Sequence, residues 1–255
     1  LYDKYSANTL GVISDVRFPI GGVKDPEAGL KLLRAIRAKD EYVPLIIESS
    51  EAHNRERAEA EGFRFVDKNS KKMSLDLRRL LEEHMGFGDF IFRDPKTHAE
   101  IMRIHSLKEL QDNIFKIPDD SMLYHISRNH MSRWLSARAI FPVSAFLKNV
   151  TWHKLQDVQA HRKIIFDAIV QYRHMKNIGV VAVFDRLKFD AYSHFARIGE
   201  GSLGGKGRGL AFLDSVIKRH PDFNQYKGVS VQIPKTVVLC TDVFDRFMEQ
   251  NNPYQ

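Results

Sequence analysis

Short strands alternate with helices from residue 10 to residue 84, and nothing else in the sequence restricts the fold as tightly. "LGVIS" is an apolar run, Leu10 to Ser14, ending in Asp15 and a loop closed by Pro19. Asp25 is an N-cap candidate with Pro26 at the first helical position, the favoured order. Leu30, Leu33 and Ile36 then recur at helical spacing. "VPLIIESS" is a second strand finishing in Ser49 and Ser50, "EAHNRERAEAEG" a polar helix stopped by Gly62, "FRFVDK" a third strand ending at Lys68, and "SLDLRRLLEEHM" a further helix. Connections this short imply an α/β fold, a parallel sheet with helices on its faces. Ligands of such sheets bind at the carboxyl ends of the strands, where Asp15, Ser49 and Lys68 each fall. A carboxylate nucleophile with a hydroxyl and an ammonium on phosphoryl oxygens suits phosphoryl transfer.

The middle of the chain reads differently. "GDFIF" and "AEIMRI" flank the Pro-containing turn "RDPKTH" and predict a β-hairpin over about 88–104. "SLKE" at 106–109 is a capping box opening a short helix that ends before Pro118. Two or three short helices with Trp134 in their core follow, then one long helix capped by Thr151 and stopped near Gly179. The chain's net charge of +7 is concentrated here, since residues 125–176 hold nine Lys/Arg against two Asp. That excess could be a nucleic-acid footprint, but a solvated helical face or an acidic neighbouring domain is the simpler expectation. His125 and His130 are five apart, and no carboxylate sits at ligand spacing, so polar packing is expected rather than a metal site. No apolar run approaches the ~18 residues needed to cross a bilayer, and the one cysteine, Cys240, cannot form an internal disulfide. A cytoplasmic chain without membrane contact is expected.

Six of the fifteen glycines fall in "GEGSLGGKGRGLAF", residues 199–212. Ordered glycine costs backbone entropy, so such a cluster means tight turning or the close approach of another group. "GEGSLG" matches G-x-G-x-x-G, but "RLKFDAYSHFARI" separates the apolar strand expected at 179–184 from Gly199, whereas a dinucleotide-binding turn needs a strand running straight into its first glycine. A Walker loop fails as well, because Glu200 and Gly207 stand where Gly and Ser or Thr are needed. What remains is a Gly-Gly-Lys-Gly loop, Gly204, Gly205, Lys206 and Gly207, leading into a helix from Leu210 to Arg219. Bare amides and an ammonium there suit a polyphosphate.

Two resemblances organise these readings. "DVRFP" with Gly29, "PLIIESS" with Ser49 and "FVDK" with Lys68 resemble the receiver domain of two-component response regulators, a flavodoxin-like fold. The resemblance makes Asp15 the candidate phosphoacceptor, with Ser49 and Lys68 as its companions. The acidic pair that binds Mg²⁺ in receivers is not found ahead of Asp15, so a truncated receiver-like domain with an inert Asp15 is expected over 1–86. "LGGKGRGLAFL" followed by "IPKTVVLCTDVF" is similar to the start of the ATP-grasp-type nucleotide-binding domain of phosphoenolpyruvate synthase and pyruvate phosphate dikinase. This implies ATP contact at Gly204, Gly205, Lys206 and Gly207, with Thr241 capping the final helix.

The expected organisation is a receiver-like domain (1–86), a helical linker domain with a hairpin (87–190) and the beginning of an ATP-binding domain (191–255). The resemblance implies a fragment of a phosphoenolpyruvate-utilising phosphotransferase, inactive alone. ATP and Mg²⁺ would belong to the parent protein, with no cofactor or metal expected in the fragment. Its partners would be the parent's remaining catalytic domains and possible regulatory proteins, and nucleic acid is not expected. The alternative is a response regulator with a basic nucleic-acid-binding segment.

Overall fold

A computed structural model describes residues 1–152, 157–178, 180–186 and 194–251. The chain is α/β, with parallel and antiparallel sheets, and divides into two compact units, Leu1–Ile169 and Val170–Gln255. After a short helix α1 (Tyr2–Tyr5), the first unit builds a three-stranded parallel sheet from β1 (Val12–Asp15), β4 (Leu45–Ser49) and β5 (Arg64–Asp67), with β4 in the centre. Helices α2 (Ala28–Arg37), α3 (Asn54–Ala60) and α4 (Met73–His84) join and follow these strands.

Strand alternation explains how both faces are buried. Leu45 and Ile47 point into one cluster with Leu30, Leu33, Ile36, Ala58 and Phe65. Ile46 and Val66 point into the other, with Met85 and the half-buried Leu77, Leu80 and Leu81. Strand β1 has β4 as its ladder partner and stands at the sheet's edge, where Ile13 remains 41% exposed.

The loop expected after Asp15 contains a small hairpin instead, β2 (Phe18–Ile20) paired with β3 (Val23–Asp25). Gly21 and Gly22 form its two-residue turn with φ of +60° and +83°, the left-handed pair such hairpins need. Helix α2 starts at Ala28, two residues beyond Pro26, because the Asp25 carboxylate accepts from the Glu27 amide at 2.8 Å and holds that turn outside the helix.

The predicted hairpin is present as β6 (Phe90–Arg93) and β7 (Glu100–Ile104). Ser106 caps α5 (Leu107–Asn113) by accepting from the Glu109 amide at 3.2 Å, while Glu109 reaches back to the His105 amide at 2.7 Å. Three short helices follow, α6 (Asp119–Ser127), α7 (His130–Ala137) and α8 (Phe141–Asn149). Trp134 is buried among them and donates its indole N–H to the Gly88 carbonyl at 3.1 Å. The long helix α9 runs over Val158–Lys176, not from Thr151. Asp157 takes the capping role, accepting from the Gln159 amide at 2.9 Å, and Gly179, the expected stop, lies outside the described residues.

The second unit holds a parallel sheet of order β10-β9-β8, formed by β8 (Ala182–Val183), β9 (Phe195–Ile198) and β10 (Thr236–Leu239). Against the expectation from the sequence, a strand does run straight into Gly199, since β9 lies within "SHFARI" and pairs in parallel with β8 and β10. Helix α10 (Gly204–Arg219) connects β9 to β10, and α11 (Thr241–Asn251) follows. The glycine stretch is therefore not a loop before a helix starting at Leu210. Gly204, Gly205, Lys206 and Gly207 are the first turn of α10 itself. Among the described residues, no helix is long and apolar enough to cross a membrane.

Candidate functional sites

In the first unit, the parallel register places Asp15 opposite Glu48 and Ser49 opposite Asp67. Lys68, just beyond β5, extends its ammonium to Asp15 Oδ2 at 2.7 Å and to Glu48 Oε1 at 3.4 Å. Partial burial alone would raise the Asp15 carboxyl. The hydrogen bond and charge of Lys68, aided by the amides of Arg17 and Val16, outweigh it and hold the carboxyl below its ordinary range. Lys68 is raised in turn, first by its hydrogen bond to Asp15.

Sequence reasoning thus placed Asp15 and Lys68 together, and the fold does so. Ser49 goes elsewhere. Its buried hydroxyl accepts from the Glu51 amide and from Asn54 Nδ2, each at 3.1 Å, and so secures the start of α3. Glu48 was missed; the one signal for it is that a parallel pairing of the two strand ends aligns it with Asp15. Gly29 completes the site from below, because a Cβ there would lie 1.9 Å from the Asp15 carbonyl oxygen. Glycine lets α2 pass directly against the end of β1.

The glycine stretch of the second unit divides into two parts with different physical causes. Gly199 has φ of +99°, and a Cβ there would stand 2.5 Å from Asp242 Oδ1. At Gly201 a Cβ would meet the Thr241 hydroxyl at 2.7 Å. Both glycines are needed because the start of α11 presses against this turn. The Asp242 carboxylate accepts from the amides of Glu200 (3.1 Å) and Gly201 (2.9 Å), and the Thr241 hydroxyl accepts from the Ser202 amide (3.1 Å). The amides of Glu200 and Gly201 hold the Asp242 carboxyl below its ordinary range. Thr241 therefore serves the glycine turn rather than the cap of α11.

Gly204, Gly205 and Gly209 are different, because a Cβ at each would meet nothing within 4 Å. Gly204 has φ of +69°, which alone accounts for its identity. No packing requires Gly205 or Gly209, and each costs ~1 kcal/mol relative to alanine inside a helix. The amide end of a sixteen-residue helix, carrying the positive pole of its dipole, thus emerges beside a face without side chains. Lys206 is exposed there and has no ion-pair partner among the described residues.

The remaining candidates serve packing. His125 Nε2 accepts from the Arg93 amide at 3.0 Å, and its Nδ1 stands 3.0 Å from His130 Nδ1. The neutral pair is satisfied when His125 donates from Nδ1. No group of three or more His, Cys, Asp or Glu able to hold a metal occurs among the described residues.

Much of the basic excess is spent on main-chain carbonyls. Arg133 donates to Tyr42 O, Arg138 to Gly86 O and Gly88 O, and Lys148 to Ser6 O and Ala7 O. Arg162, 1% exposed, donates to the carbonyls of Ile114 and Ile117 and to Asp119. Four of the nine Lys/Arg in this segment thus tie segments together through main-chain carbonyls, a use the linear sequence does not reveal.

The chain matches no family model, no curated protein and no solved structure.

Proposed function

We propose that this chain supplies the ATP-entry element and a receiver-like module of a phosphoenolpyruvate-utilising phosphotransferase. The observation that carries the reading is the amide end of α10, where Lys206 lies exposed beside Gly205, whose added Cβ would meet no protein atom within 4 Å, while Gly207 packs against Val238. The Gly204 amide already donates to Ser202 Oγ at 3.2 Å, so a polyphosphate would be drawn by the next amides of the first turn, those of Gly205, Lys206 and Gly207, with the helix dipole and the exposed Lys206 ammonium. The order of strand, glycine turn, helix and strand is what the start of an ATP-grasp-type nucleotide domain would need. In this role Lys206 neutralises phosphate charge and the amides of the first helical turn orient the anionic tail. ATP supplies the phosphoryl group when bound, and the acceptor chemistry belongs to the remaining catalytic domains of the parent.

The Asp15–Lys68 pair at the carboxyl end of a parallel sheet supports the flavodoxin-like, receiver-like reading of the first unit. The three strands, in order β1-β4-β5, correspond on that reading to the last three of a receiver sheet. The residues around Asp15 do not make a Mg²⁺ site by themselves, since the Lys68 ammonium already lies between the Asp15 and Glu48 carboxylates. Mg²⁺ is therefore assigned to other parts of the parent, and the module is read as a regulatory or docking element.

Saturating ATP is expected to stabilise the wild-type chain by about 2.7 kcal/mol at a hundredfold excess over its Kd. In Lys206→Ala this protection should largely disappear while the melt without nucleotide stays unchanged, because the side chain is exposed. Equal protection in both proteins would remove Lys206 from the site.

A further inference from the structure

The turn over residues 199–202 has the form of an oxyanion receptor, yet the chain fills it with its own carboxylate. Three successive amides, those of Glu200, Gly201 and Ser202, are directed at the first two side chains of α11. Asp242 takes two of them, one with each carboxylate oxygen, and Thr241 takes the third. Successive amides presented to one side form a nest that favours anions, and here the two that meet the Asp242 carboxylate are its anion-holding part, the third being met by the neutral Thr241 hydroxyl. The Asp242 side chain is nevertheless 35% exposed, and its partner Arg246 reaches it at 3.4 Å from a side chain 63% exposed. A carboxylate held this way is in contact with solvent and can be exchanged. Gly204, the first residue of α10, follows two residues after Ser202 and donates its amide to Ser202 Oγ at 3.2 Å.

We propose that the amides of Glu200, Gly201 and Ser202 are a second phosphoryl-oxygen subsite, occupied by Asp242 in the free chain and opened when a polyphosphate displaces it. The proposal rests on the nucleotide reading of α10 and adds its regulation. Binding exchanges one anion for another in the nest and frees the start of α11. Asp242 is thus an internal competitor, and its negative charge sets the affinity of the site. The ligand class is an inorganic or nucleoside polyphosphate, long enough to reach from Lys206 to the turn.

Titration calorimetry of the full chain with ATP and with inorganic tripolyphosphate tests this. Asp242→Asn keeps one acceptor oxygen for the turn but removes the charge, and should bind both probes about tenfold more tightly, the effect of losing one charge-assisted competitor. In the wild-type chain, ATP should speed hydrogen exchange in the first turn of α11, which loses its Asp242 contact, while Glu200 and Gly201 stay protected by the phosphoryl oxygens, a readout that needs no variant. Affinity unchanged or weakened in Asp242→Asn, or exchange in the first turn of α11 left unchanged by ATP, would overturn the subsite. If binding then still depended on Lys206, the reading of α10 would stand. Absence of binding to either probe in both proteins would overturn both.

Discussion

Lowering the pH from 7 to about 4.5 is expected to cost the first unit several kcal/mol of stability, through the His125–His130 pair. Burial is the main cause that pushes His125 down to about 4, with the charges of Arg93 and Arg128 adding to it. Burial likewise takes His130 to about 3, together with His125, Arg133, Arg128 and His84. The groups facing the pair are thus guanidiniums and another imidazole, and Arg93 N–H already occupies the Nε2 lone pair of His125. Both rings are neutral in the folded state and take up protons on unfolding below their ordinary value near 6.5. Depressed histidine values leave stability intact above pH 6.5 and remove it progressively as the pH falls toward 4. Each ring contributes up to ~1.4 kcal/mol per pH unit in that window. Urea unfolding at several pH values should show this slope, and His130→Gln, which keeps an acceptor for His125 but does not titrate, should flatten it.

Gly29→Ala should be almost as damaging, with a loss of about 3 kcal/mol or more from steric overpacking. The new Cβ would overlap the Asp15 carbonyl, at 1.9 Å from oxygen and 2.9 Å from carbon, and would also crowd Ser14 Oγ at 3.1 Å. Neither carbonyl atom is the end of a flexible side chain, so relief requires α2 to move away from β1. That movement breaks the 2.9 Å bond from the Gly29 amide to Val16 O and displaces the backbone bearing Asp15. Chemical denaturation measures the loss. A variant that folds should also show a weakened Asp15–Lys68 pair, visible as an upward shift of the Asp15 carboxyl toward its ordinary range.

The sheet of the first unit was legible because its strands are apolar on both faces and its helices carry 3.6-residue spacing, as with Leu30, Leu33 and Ile36. Asp15 and Lys68 could be found because strand ends in a parallel sheet share one edge. Glu48 could not be found that way, since its importance comes from register, which is set only when β1 and β4 pair. The Gly21-Gly22 hairpin had a local signal of the strongest kind, two glycines between β-favouring residues, and was hidden by reading Pro19 as a loop end.

Tertiary demands account for the other differences. Thr151 has the chemistry of an N-cap, but Asp157 holds the actual start of α9. The glycine stretch combined two causes that composition cannot separate. Gly199 and Gly201 accommodate Asp242 and Thr241, side chains some forty residues away in sequence, whereas Gly205 and Gly209 leave a helix face open.

On the proposed function, the first turn of α10, with Lys206, receives the anionic tail of a nucleotide. Titrating ATP into isotopically labelled chain and following the backbone amides by NMR tests it most directly. Saturable shifts concentrated at Gly204, Gly205, Lys206 and Gly207, absent with adenosine and reduced in Lys206→Ala, are the expected result. Shifts scattered over other basic residues, or none at these four amides at saturating ATP, would contradict it.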